Sequence, residues 1–215
     1  MPTRVFVLRH AESADPTVFH GAESDVGLSE RGWRQAKAVA PILAAHAPAA
    51  VVSSAMQRAR DTAAPIAAAC GLPLLLEPQL HERRVGALSG TPFAGGDSAW
   101  PDTLRHWMAG HTSYTPPGAE SFDDIRDRIL PVWERLTREH EERCLVVVAH
   151  GVVCKVLFLS ILPGHSPADW QRLGPIRNAA LTELEGSSGR WQARRLNSLP
   201  DAVAAVSGQA TETRR

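Results

Sequence analysis

Lysine, cysteine and tyrosine are scarce in this chain of 215 residues, and each scarcity excludes something. The three cysteines, Cys70, Cys144 and Cys154, form no CxxC pair and sit in apolar stretches, so neither a disulfide framework nor a thiolate metal site is expected, and a reducing compartment is. The nine histidines form no HxH or HExxH pattern, which leaves a zinc site without a signature. No long hydrophobic run is present. Four apolar residues precede Arg9 and His10, too few for a signal-peptide core, and the stretch from Gly151 to Leu162 is broken by Lys155. Net charge of one sign is also missing: 23 Lys+Arg balance 23 Asp+Glu, giving no general pull toward nucleic acid or an anionic membrane. A soluble cytoplasmic protein is the expectation. Lys37 and Lys155 are the only lysines, so positive charge is carried almost wholly by arginine, whose planar fork grips oxyanions at two points.

What is present reads as one α/β domain. Val5–Leu8 and Leu145–Val148 are continuous apolar runs, as for strands covered on both faces of a mostly parallel sheet; Ala50–Ser53 and Leu74–Leu76 are shorter ones. Between them lie segments of helical period: from a Ser29 cap through Ala45, from a Ser54 cap to Cys70 and Gly71, from Ser121 to about Glu141, and from about Val152 to Leu162. Pro41, Pro65 and Pro131 fall inside them, where proline costs roughly 3 kcal/mol or a kink. Leu181–Glu185 and Trp191–Leu196 flank a Gly-Ser-Ser-Gly turn and read as a hairpin. The expected architecture is a three-layer sandwich, a mostly parallel central sheet flanked by helices, occupying 1–198. An irregular, aromatic lid insertion at about 89–117 and a flexible tail at 199–215 complete it. The tetrapeptide Gly-Ala-Glu-Ser occurs at 21–24 and again at 118–121, too short to mark a duplication.

Three strand ends carry chemistry. The first strand runs into Arg9-His10-Ala11-Glu12-Ser13. The second feeds a helix whose first turn holds Arg58. The third ends in Ala149-His150-Gly151. Ligands of parallel sheets bind at the carboxyl ends of strands, and helix N-termini attract anions, so two histidines and two arginines at one edge point to an oxyanion. A loop with an acid among bases, His81-Glu82-Arg83-Arg84, joins them.

Leu8-Arg9-His10, Leu28-Ser29-Glu30-Arg31-Gly32 with Gln35-Ala36, Ser53-Ser54 with Arg58-Ala59 and Thr62, Glu82 with Gly86 and Gly90, and Ala149-His150-Gly151 follow one another in an order that resembles the histidine phosphatase superfamily, the phosphoglycerate mutase-like fold, over residues 4 to 196. The resemblance implies a phosphomonoester hydrolase that needs no metal or other cofactor. His10 would be the nucleophile and Glu82 the acid that protonates the leaving alkoxide and later deprotonates water. Arg9, Arg58, His150 and the Gly151 N–H would surround the phosphoryl oxygens. His10 must then be unprotonated at its attacking nitrogen, with the other nitrogen's proton held by a backbone carbonyl. Two positions depart from the family's habit: Ala11 follows the histidine where glycine is frequent, and Pro16 stands where many members have an asparagine that touches phosphate. Either Ser13 or the backbone near Gly21 takes over from that amide, or the site does without it.

Pro117-Gly118-Ala119-Glu120-Ser121 looks like a segment of the phosphatase branch, which places hydrolysis of a small phosphorylated metabolite ahead of mutase-type phosphoryl transfer. A catalytically silent phosphate-binding domain is the third reading. The partner implied is a small-molecule phosphomonoester rather than nucleic acid or membrane; a homodimer stays open.

Overall fold

The computed structural model describes residues 1–92, 99–187 and 189–208. Six strands, β1 (Thr3–Arg9), β2 (Ala50–Ser54), β3 (Leu74–Glu77), β4 (Cys144–Ala149), β5 (Leu181–Ser187) and β6 (Arg190–Ser198), form one sheet in the order β3-β2-β4-β1-β5-β6. The first four are mutually parallel, while the β5–β6 hairpin adds two antiparallel strands at the β1 side. The apolar runs of β1 and β4 are continuous because both faces are covered. Val5, Val7, Leu145 and Val147 enter one core and Phe6, Leu8, Val146 and Val148 the other.

The second core lies under α1 (Glu30–Ala44), α2 (Gln57–Cys70) and α6 (Asp201–Ser207); the first lies under α3 (Ala99–Met108), α4 (Phe122–Glu139) and α5 (Gly151–Ile161). Ser29 caps α1 through Gly32 N, Ser121 caps α4 in a reciprocal capping box with Asp124, and Gly71 ends α2 in the left-handed conformation. None of the three prolines breaks its helix; Pro41 and Pro131 are exposed, so the missing backbone hydrogen bond falls on the solvent side. Among the described residues no helix is long and apolar enough to cross a membrane.

Three expectations need correction. Ser54 does not cap α2. It is the last residue of β2, paired with Glu77, and α2 begins at Gln57, whose N–H donates to Asp25 at 2.6 Å. The insertion at 89–117 is not irregular throughout: α3 occupies 99–108, with Trp107 fully buried, while 93–98 lie outside the described residues. The tail is likewise ordered in part, because Val203 and Ala204 of α6 are buried in the core beneath α1.

Candidate active site

Pairing between β1 and β4 brings Arg9 level with Ala149, and the ladder continues one step further, the His10 N–H donating to Ala149 O at 2.9 Å. Two histidines that are 140 positions apart in the chain thus end side by side, His10 and His150 ring centroids 5.1 Å apart. The loop after His10 is tied down on every side. Thr62, one turn after Arg58 in α2, accepts the Ala11 N–H at 2.9 Å and donates to Arg58 O. Gln35 accepts the Glu12 N–H, and Asn178 donates to His10 O at 2.9 Å. Ser29 and Arg31 hold the Glu12 carboxylate. Gly32 packs so closely that a Cβ there would stand 2.0 Å from Glu12 O. The Leu28–Ala36 block of the sequence is therefore the cradle of the loop that follows His10.

His10 Nδ1 lies 2.6 Å from Ala11 O. A carbonyl only accepts, so the proton sits on Nδ1 and the Nε2 lone pair is free. Burial, then the Arg58 and Arg9 guanidinium groups, hold the imidazole well below its ordinary value, and the ring is neutral at pH 7. His150 is lowered in the same way by burial and Arg58, and its Nε2 meets Ser54 Oγ at 2.8 Å.

Arg58 differs from expectation in how it is used. Its terminal nitrogens donate to the carbonyls of Ser24 (2.8 Å), His20 (3.1 Å) and Gly21 (3.3 Å), fixing the loop opposite. Arg9 Nη1 donates to Ile176 O. Other edges stay open: Arg9 Nε, Arg58 Nε and His150 Nδ1 are buried nitrogens with no hydrogen-bond partner among the described residues. Gly151 opens α5 directly against Arg9, its Cβ position 3.5 Å from Nε, adding a helix N-terminus to these donors. Orphaned buried donors are costly unless a ligand satisfies them.

Glu82 accepts from its neighbour Arg83 N at 2.8 Å and, through Oε2, from Val152 N in the first turn of α5 at 3.3 Å. Its loop is clamped by the two copies of Gly-Ala-Glu-Ser. Glu23 of the first accepts from Val85 N and Gly86 N, and Glu120 of the second accepts from Arg84 N. Glu120 is itself buried in an ion pair with Arg128, 2.8 Å, which also donates to Gln79 O. Gly86, at φ +55°, passes so close to Pro117 O that a Cβ would sit 2.9 Å from it.

Arg9, His10, Ser13, Glu82 and Gly151 line one cavity of about 580 Å³. Arg58 and His150 are fully buried and are not among the residues that line it; each bears on His10 instead, which feels the Arg58 charge and stands 5.1 Å from the His150 ring. Ser13 and Pro16 both line this cavity; Gly21 itself does not, its carbonyl accepting from Arg58, although its neighbour His20 does. Residues that local sequence patterns do not single out are Asn178, Glu23 and Ser54 in its role against His150; all three act across long sequence separations.

The family profile of the histidine phosphatase superfamily (branch 1) matches residues 5–199. The chain belongs to that superfamily. Among curated proteins, a bifunctional protein of Mycobacterium tuberculosis is 39% identical over 159 residues, 73% of this chain and 43% of the relative, so the chain spans less than half the length of that protein. The metal-independent phosphoserine phosphatase of Arabidopsis thaliana is 32% identical over 195 residues, 88% of this chain and 79% of the relative. Among solved structures, a mycobacterial glucosyl-3-phosphoglycerate phosphatase in complex with VO3 superimposes with a TM-score of 0.81 at 31% identity, covering 91% of this chain and 99% of the other. The superfamily's α/β sandwich is the fold described above.

Proposed function

We propose that the chain is a phosphomonoester hydrolase working through a phosphohistidine at His10 on a small phosphorylated metabolite. The observation that carries this reading is the 2.6 Å bond from His10 Nδ1 to Ala11 O, which leaves a neutral Nε2 among buried, unpartnered donors. In the first step the Nε2 lone pair attacks phosphorus, the P–O bond to the alcohol breaks, and Glu82 gives its proton to the departing alkoxide. In the second, Glu82 takes a proton from water, the oxygen attacks phosphorus, the P–N bond breaks, and inorganic phosphate leaves. Arg9, Arg58, His150 and the Gly151 N–H hold the phosphoryl oxygens throughout; fixed donors of this kind supply the larger share of catalysis when positioning and charge dominate. The Ser13 hydroxyl serves in place of the amide that Pro16 does not provide, and no metal is called upon. Kinship with proteins named as phosphatases supports hydrolysis over isomer exchange.

The test is p-nitrophenyl phosphate turnover together with trapping of a radiolabelled phosphoenzyme in alkali and mapping of the label. Label on His10 with release of phosphate is expected. Exchange between 3-phosphoglycerate and 2-phosphoglycerate in the presence of a bisphosphoglycerate primer, with no phosphate released, would establish the mutase reading instead. Phosphate binding with no turnover of any phosphomonoester would leave a silent binding domain.

A further inference from the structure

Phosphoryl transfer at His10 needs only the floor of the cavity, yet the cavity extends well beyond it. Its far wall is built from Trp100 and Leu104 of α3, Trp170 and two further cations, Arg83 and Lys155. Lys155 stands four residues after Gly151 on α5, the spacing that keeps both on one helix face about 6 Å apart along the axis. It follows that the ammonium flanks the part of a substrate lying away from phosphorus.

Both cations are buried, and among the described residues neither has an ion-pair partner. Lys155 is 7% exposed; its Nζ donates once, to Gly174 O at 2.8 Å, and rests over the Trp170 ring at 4.6 Å. An ammonium has three donors, so two remain. Burial alone pulls its pKa down to about 8, and no carboxylate offsets that cost. The Arg83 guanidinium lies over Trp100 at 4.8 Å and Trp107 at 5.3 Å, with Nε donating to Glu120 O. Its Nη1 has no partner among the described residues. Glu12, which also lines the cavity, is already neutralised by Arg31. Charges are rarely buried unless they are paired. Glu82, Glu120 and Glu23 offset part of the cost of burying Arg83, whereas nothing offsets Lys155, so a wall holding that ammonium among tryptophans is suited to a ligand with an anion of its own.

We propose that Lys155, with Arg83 on the same wall, forms a second anion subsite, and that the preferred substrate is a phosphomonoester whose alcohol half carries a carboxylate. This rests on the phosphatase reading and narrows its substrate class. The phosphoryl group is held by Arg9, Arg58 and His150, and the carboxylate is held at the wall by the Lys155 ammonium, with Arg83 adding positive charge to the same wall. Trp100 and Trp170 cover the apolar body between them.

Two substrate pairs isolate the carboxylate: O-phosphoserine against O-phosphoethanolamine, and 3-phosphoglycerate against glycerol 3-phosphate. In wild-type protein kcat/KM is expected to favour the acid in each pair at least tenfold, about 1.4 kcal/mol, as for a hydrogen bond to a charged group. Lys155→Met preserves the stem and removes the charge; it is expected to reduce that ratio by at least tenfold, whereas Lys155→Arg retains the preference. Lys155 is the informative position because Arg83 also holds the backbone of Glu120. A wild-type ratio near one in both pairs, or a ratio that survives Lys155→Met, overturns the subsite while leaving p-nitrophenyl phosphate hydrolysis intact. Absence of that hydrolysis sinks the phosphatase reading, and the subsite falls with it.

Discussion

The Ala11 carbonyl sits 2.6 Å from His10 Nδ1, so the residue that follows His10 also decides which of its nitrogens keeps a free lone pair. The tautomer is set by backbone rather than by a carboxylate, and Thr62 and Gln35 fix that backbone from below. Replacing His10 with Asn removes the attacking atom without emptying the site. Turnover of p-nitrophenyl phosphate is expected to fall by at least about a thousandfold, as for loss of a covalent nucleophile. The check is the initial rate together with loss of the acid-labile, alkali-stable phosphoenzyme; a variant with wild-type rate would refute the role of His10.

The two buried histidines also tie stability to pH. Burial and the neighbouring guanidinium groups lower both, His10 and His150, below the ordinary 6.5, so each binds its proton more weakly in the folded chain than in the unfolded one. As pH falls through 6.5 the unfolded chain takes up protons that the folded chain refuses. Stability is therefore full above that value and declines below it, by up to about 1.4 kcal/mol per histidine for each pH unit until the folded value is reached. His46 and His81, also lowered, act in the same direction with partial exposure. Urea unfolding at pH 7.5 and 5.5 should show the decline, and His10→Asn should flatten it; equal slopes in variant and wild type would contradict a neutral His10.

Legibility in the sequence follows locality. The ends of β1 and β4 are readable because uninterrupted apolar runs of that length suit strands buried on both faces, and each run stops at Arg9-His10 or His150. The α1 cap is readable from Ser29 ahead of an apolar period. α3 is not, although Trp100, Leu104 and Trp107 have helical spacing: glycine and proline crowd its approaches, and Pro101 resembles a breaker although the first turn of a helix tolerates it. α6 is seven residues of mostly alanine and valine whose order comes from packing on α1, a tertiary effect that propensity does not reveal. Ser54 misleads for the same reason: a serine before a helical segment looks like a cap until its hydroxyl is found on His150, 96 positions away.

Glu82 governs the leaving group in the proposed cycle, so its removal should be felt in proportion to how poorly the alcohol departs. Glu82→Gln keeps a group of the same size where Arg83 N and Val152 N donate. Hydrolysis of an alkyl phosphate such as glycerol 3-phosphate is expected to drop about 100- to 10,000-fold, and that of p-nitrophenyl phosphate much less. A plot of rate against leaving-group pKa measures this; identical losses across the series would remove Glu82 from the proton-transfer role.

Gly32 meets a steric requirement. An alanine Cβ would stand 2.0 Å from Glu12 O, and both sides of that clash are fixed to the main chain, so neither can swing aside. Gly32→Ala should destabilise the fold by about 1–3 kcal/mol by overpacking and displace the loop that carries His10. Thermal unfolding reads the first effect. A kcat that drops while the midpoint also drops is expected; an unchanged midpoint would show that α1 shifts freely against the loop.

Glu120 and Arg128 anchor the loop that carries Glu82. Both are about nine-tenths buried and paired at 2.8 Å, and the same carboxylate accepts the Arg84 N–H two residues after Glu82. Losing one partner of such a pair strands the other's charge, which costs roughly 3–5 kcal/mol. Glu120→Gln keeps the acceptor for Arg84 N but leaves Arg128 uncompensated, so a large fall in stability is expected from a substitution that does not touch the substrate. Glu120 acts on the chemistry only through the placement of Glu82, and its kinetic signature follows from that: the steepness of rate against leaving-group pKa should shift toward that of Glu82→Gln. Arg128→Met, which removes the charge that Glu120→Gln strands, should recover part of the stability in the double variant without restoring the leaving-group dependence. If the single variant were unstable yet kept the wild-type leaving-group dependence, Glu120 would support the fold without positioning the acid.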